Sequence, residues 1–224
     1  HLGGYWGMIK RLDEGLGRLL DALKSLDLSQ RTIVLFTSDH GCHFKTRNAE
    51  YKRSAHESSI RVPTMLHGPG FMCGGDRSEL VSLIDLPPTL LDAAGVPVPP
   101  AMQGRSLLPR LRRPEAAWRD EVYVEVSETQ SARALRTANW KFIVAVQGDD
   151  AARAIEAPSW PVYTEETLYD LSTDPHEFVN VIDLPRYAAV ADDLRARLQK
   201  RMTEAGQAGA RIEPAPARRL ATVD

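Results

Sequence analysis

The chain has 224 residues, 43% of them hydrophobic and 26% charged, which is the balance of a folded soluble protein and excludes a disordered one. A formal net charge of −2 gives no electrostatic basis for binding nucleic acid or an anionic membrane, and no apolar run is long enough to span a bilayer. This length accommodates one large domain, or a domain with a smaller appendage.

In chain order, Tyr5, Met8, Ile9, Leu12, Leu16, Leu19, Leu20 and Leu23 recur at helical spacing between Gly4 and Leu26, a stripe suited to covering a sheet. The run "RTIVLFTS" is apolar on both faces, as expected of a central parallel strand. A second strand is predicted at Val62–His67, closed by Gly68-Pro69-Gly70. In "SLIDLPPTLLDAAGVPVPP", Asp85 can cap a helix that tolerates Pro87 and Pro88 in its first turn and ends at Gly95.

Past Pro109 the texture changes. "LRRPEAAWRD" reads as a connector, and "EVYVEVS", "ARALRT", "WKFIVAV" and "ETLYDL" read as short strands of an antiparallel sheet. A charged helix is predicted from about Arg186 to Glu204, with Val190, Leu194 and Leu198 on one face; "RIEPAPARRLATVD" reads as a loose tail. The expected class is α/β, with residues 1–112 belonging to the α/β part and 113–224 forming a smaller subdomain of antiparallel strands and a helix.

The chemistry concentrates at the end of the first strand. Asp39, His40, His43, Lys45, Arg47, Lys52, Arg53 and His56 fall within eighteen positions, where open α/β sheets bind ligands. Asp39 and His40 can bind a metal, the carboxylate suiting hard cations and the imidazole shifting preference toward manganese, zinc or iron. Lys52 would be a fixed positive clamp for an anionic oxygen, and His56 is the most plausible general acid. Glu57 and Arg61 can pair with each other at helical spacing. A metal with several cations suits a compact oxyanion such as sulfate or phosphate. Two cysteines, Cys42 and Cys73, are too few for a disulfide framework, and a chain opening on His1 without Met or a signal-peptide pattern is expected to be processed, trimmed or a fragment.

"TIVLFTSDHG", Lys52 with Glu57 five residues later, and "SIRVPTMLHGPG" together resemble the second half of the sulfatase family, within the alkaline phosphatase-like superfamily. "LVSLIDLPPTLLDAAGVPVPPAMQGRSLLP", "ALRTANWKFIV" and "ETLYDLSTDPHEFVNV" extend the resemblance in family order over nearly the whole chain. It implies a mostly parallel sheet sandwiched by helices, and it makes Asp39 and His40 metal ligands and Lys52 the contact to the transferred sulfate. His43 and Arg47 are further substrate-contact candidates, Arg47 standing roughly where relatives often carry His. Calcium is the family's usual metal and manganese the alternative.

No Cys/Ser-x-Pro-x-Arg, from which the family's formylglycine nucleophile arises, occurs in the chain. Cys42 and Cys73 both lack that context. The resemblance therefore implies hydrolysis of a small-molecule or carbohydrate sulfate ester, with a nucleophile expected outside these residues. A phosphonate or phosphate monoester hydrolase on the same scaffold is the alternative. The 224-residue segment alone is expected to be catalytically incomplete, and apolar sheet edges would favour its self-association into a homo-oligomer.

Overall fold

A computed structural model describes residues 2–71 and 74–215, arranged as two compact units. One unit runs through Ser38 and resumes at Val62–Arg77; the other comprises Asp39–Arg61 and the chain from Ser78 onward. Cys73 and the end of the tail lie outside the described residues.

In the first unit, helix α1 (Leu2–Ser25) forms where the 3.6-residue spacing predicts it. Its apolar stripe covers no sheet there, however: none of its residues is buried, and Met8, Leu12 and Leu19 are more than half exposed. Periodicity tells which residues share a face; it does not tell what covers that face. Strand β1 (Val34–Thr37) pairs with β2 (Thr64–His67), Val34 lying opposite His67 and Thr37 opposite Thr64. This pairing is antiparallel; the expected central parallel strand would need a partner on the other edge of β1, where none lies among the described residues.

The second unit holds α2 (Glu57–Ile60), α3 (Leu86–Ala93), α4 (Leu108–Arg112) and a five-stranded sheet. Helix α3 has proline in its first turn, and Gly95 closes it with φ +71°, a conformation that costs glycine little. The Asp85 carboxylate does not cap α3, as the sequence suggested. It accepts hydrogen bonds from the N–H groups of Ser82 (2.9 Å) and Arg105 (2.8 Å) and pairs with Arg119. Helix α4 occupies the start of the expected connector.

The sheet is built from β3 (Glu121–Val126), β4 (Ala132–Thr137), β5 (Trp140–Ala145), β6 (Val162–Asp170) and β7 (Arg211–Glu213), hydrogen-bonded in that order. The first four are antiparallel, as predicted; β7 joins β6 in parallel and so orders part of the expected loose tail. A short helix, α5 (Ala151–Ala154), interrupts the β5–β6 connection.

Period-2 alternation gives this sheet two different faces. Leu135, Phe142, Val144 and Leu168 form a core with Leu194, Leu198 and Met202 of α6 (Ala188–Glu204). Ala134, Ile143, Ala145 and Tyr169 face the other way and enclose Ala55, which belongs to the loop that follows β1. This packing explains why the compact units do not divide near residue 112: the segment Asp39–Arg61 packs with the five-stranded sheet.

Candidate active site

The chain leaves β1 at Thr37 and reaches Asp39 and His40 at once. The His40 ring is oriented by its Nδ1, 2.8 Å from the Gly41 carbonyl oxygen. A carbonyl only accepts, so Nδ1 carries the proton and Nε2 keeps its lone pair. That lone pair lies 3.0 Å from Lys52 Nζ and 3.4 Å from Asp39 Oδ2. Histidines that ligate metals are commonly held this way, one ring nitrogen on a backbone carbonyl and the other presented to the ion. Partial desolvation opposes ionisation of the Asp39 carboxyl, but the hydrogen bond from the His40 N–H and the positive field of Lys52 hold it below its ordinary range.

Gly41 fixes this corner. Its N–H donates to the Ser59 carbonyl oxygen at 2.7 Å, and a Cβ at this position would lie 2.2 Å from the Ser58 carbonyl oxygen. Only glycine lets the two arms of the loop approach so closely. They meet again where the His43 N–H donates to the Tyr51 carbonyl oxygen, beside Lys52. The residue types therefore fit a cation held by Asp39 and His40. Among the described residues no group of three or more metal-ligating side chains forms, so these two are a partial ligand set.

The loop is gripped from below by one row of the sheet. Arg136, Lys141 and Tyr169 are cross-strand neighbours on β4, β5 and β6. Lys141 is fully buried and uses its ammonium on Ala55 O (2.8 Å), Glu57 Oε1 (2.9 Å) and Glu177 Oε1 (3.0 Å). Arg136 reaches the same Glu57 carboxylate at 3.3 and 3.4 Å, and the Tyr169 hydroxyl meets His56 Nε2 at 3.3 Å. Burial alone would raise the Glu57 carboxyl; Lys141 and Arg136 outweigh it and hold it below its ordinary range. Glu57 thus pairs with residues about eighty positions away and not with Arg61, the partner expected from helical spacing.

The remaining candidates are placed differently. Arg47 donates to the backbone carbonyls of Glu177 (2.7 Å) and His176 (2.5 Å), an anchoring geometry. His43 is buried, and neither of its ring nitrogens has a hydrogen-bond partner. Burial, with the nearby charges of Arg47 and Lys141 and the neighbouring His43, pushes His56 down to about 4. A general acid must be protonated at working pH, and this downward shift works against that role for His56.

This depression has a stability consequence. The unfolded chain takes up a proton near the ordinary value of 6.5 and the folded chain only near 4, so stability falls as pH falls through that window. We predict that His56→Gln shrinks the loss in urea midpoint between about pH 7 and about pH 4.5. An identical acid dependence in the variant would assign the loss to other groups.

Sequence reasoning missed Arg136, Lys141, Tyr169 and Glu177. The available signal was Lys141 itself, a charged residue inside an apolar strand on the same face as Ile143 and Ala145.

Residues 49–204 match the family described as N-sulphoglucosamine sulphohydrolase, C-terminal, and residues 1–96 match the family described as sulfatase. The chain belongs to the sulfatase family. It is 36% identical over 187 residues to arylsulfatase K of Homo sapiens, an alignment covering 79% of this chain and 32% of that protein. Against arylsulfatase K of Danio rerio it is 34% identical over 197 residues, covering 85% and 35%. The chain spans about a third of the length of these curated relatives.

Among solved structures it is similar to a protein in complex with its substrate D-glucosamine-2-N,6-O-disulfate (TM-score 0.72, 28% identity, 88% of this chain and 39% of the other). It is also similar to the phosphonate monoester hydrolase of Agrobacterium radiobacter (TM-score 0.72, 27% identity, 89% and 40%). These likenesses bear out the α/β, alkaline phosphatase-like class. No helix among the described residues is long and apolar enough to cross a membrane.

Proposed function

We propose that this chain is the carboxy-terminal portion of a hydrolase of sulfuric esters and carries one half of its active site. The observation that supports this reading best is the convergence of Asp39 Oδ2 and Lys52 Nζ on His40 Nε2. A divalent cation, calcium by family habit or manganese by the preference of imidazole, would be held by Asp39 and His40 together with ligands from outside this chain, and would polarise the ester oxygens. Lys52 supplies a permanent positive charge toward the sulfate, three donors on a flexible stem. The formylglycine nucleophile belongs to residues outside this chain. His56, neutral near pH 7, serves as a hydrogen-bonding support through Tyr169 and not as the proton donor.

The phosphonate monoester hydrolase among the structural relatives keeps a second reading open, since charge and geometry suit phosphorus esters as well. Paired assays of the complete polypeptide on an aryl sulfate and an aryl phosphonate monoester decide between them. Faster turnover of the sulfate is expected, and a preference for the phosphonate would overturn it. The sulfated substrate is proposed to be a small-molecule or carbohydrate ester, and the isolated 224-residue chain is expected to release no sulfate.

A further inference from the structure

The contacts beneath the loop carry an inference about how Lys52 is aimed. We propose that Lys141 is a positioning residue: through Ala55 and Glu57 it sets the conformation of the loop that presents Asp39, His40 and Lys52. For its catalytic consequence this rests on the sulfatase reading above; for its structural content it does not.

Three observations support it. First, Lys141 sits directly opposite Arg136 on the neighbouring strand, a like-charge pairing that ordinarily destabilises a sheet. It persists because Glu57 and Glu177 supply two negative charges to the same spot, leaving the four-residue cluster neutral. A sheet that needed only a filled core at residue 141 would do as well with an apolar side chain. Second, the lysine has three N–H donors and three partners, Ala55 O, Glu57 and Glu177, two of them in the loop. Its hydrogen bonds therefore define where residues 55–57 lie.

Third, Glu177 has a left-handed backbone, φ +58°, uncommon for a residue with a side chain. Its carboxylate bridges Lys141 and the Glu57 N–H (2.8 Å), and its carbonyl oxygen receives Arg47. Arg47 and Glu57 of the loop are thereby tied to one residue of the segment after β6.

The connection to the site is short. From Glu57 the chain enters α2; the Ser59 carbonyl oxygen near its end accepts the Gly41 N–H, and the Gly41 carbonyl orients the His40 ring facing Lys52. Loosening residues 55–57 removes the floor from under that chain of contacts.

The test uses Lys141→Met in the complete polypeptide, which keeps length and removes the charge. Hydrogen exchange of peptides covering residues 39–61 should be at least about ten-fold faster than in the parent, with α6 and β3 unchanged. Sulfate turnover should fall in Lys141→Met but not fall further when Lys141→Met is added to Lys52→Ala, because a residue acting through Lys52 has nothing to act on once it is gone. Should Lys141→Met fail to fold, Glu177→Gln removes one counter-charge while keeping shape and should accelerate exchange in the same peptides. Unchanged exchange in residues 39–61 overturns the proposal, and so does an equal loss of turnover with and without Lys52. If the parent polypeptide hydrolyses no sulfate ester, the functional reading fails while the exchange measurement still decides the role of Lys141.

Discussion

Lys52→Ala in the complete polypeptide is expected to reduce sulfate-ester turnover by on the order of 100-fold or more, the usual effect of removing one donor aimed at developing charge. The loss should appear mainly in kcat, because the ammonium matters most when negative charge builds on the sulfate oxygens. Lys52→Arg should recover only part of it. The guanidinium keeps the charge, but its planar fork cannot occupy the place of a compact ammonium 3.0 Å from His40 Nε2. Wild-type turnover in Lys52→Ala, measured with saturating metal and an aryl sulfate, would remove the lysine from the mechanism.

Asp85→Ala should be the most damaging single change to folding outside the loop, costing about 3–5 kcal/mol in urea or guanidinium unfolding. Asp85 is completely buried, and its carboxylate satisfies two backbone N–H groups and the Arg119 guanidinium. Burial already weakens the hold of Arg119 on its proton, and Asp85 is the main influence opposing this. Alanine would leave a half-buried cation without its counter-ion and two amides without acceptors. Asp85→Asn, which keeps the shape and one acceptor oxygen, should lose less. Equal stability of Asp85→Ala and parent would show that water replaces the carboxylate at no cost.

The two kinds of residue in this molecule were unequally legible in the sequence. Strands β3–β6 could be read because alternation is local, each residue announcing its face by its neighbours two positions away. Asp39, His40 and Lys52 stood out because an apolar strand ended on them and the family pattern runs through them. The partners of Glu57 could not be read, since Arg136 and Lys141 lie about eighty residues on and join it only after three strands have registered. The local candidate, Arg61, was chosen by helical spacing, and α2 is only four residues long. The burial of His43 was equally hidden: sequence shows a histidine among cations but not that it lies under the surface.

The tie between Glu57 and Glu177 spans 120 residues, and this has a consequence for the making of the protein. A ribosome adding about 5–20 residues per second needs roughly ten seconds to travel from one to the other. Throughout that interval the nascent segment bearing Asp39, His40 and Lys52 has no sheet beneath it. Its final shape is acquired only after the strands that hold it have been made.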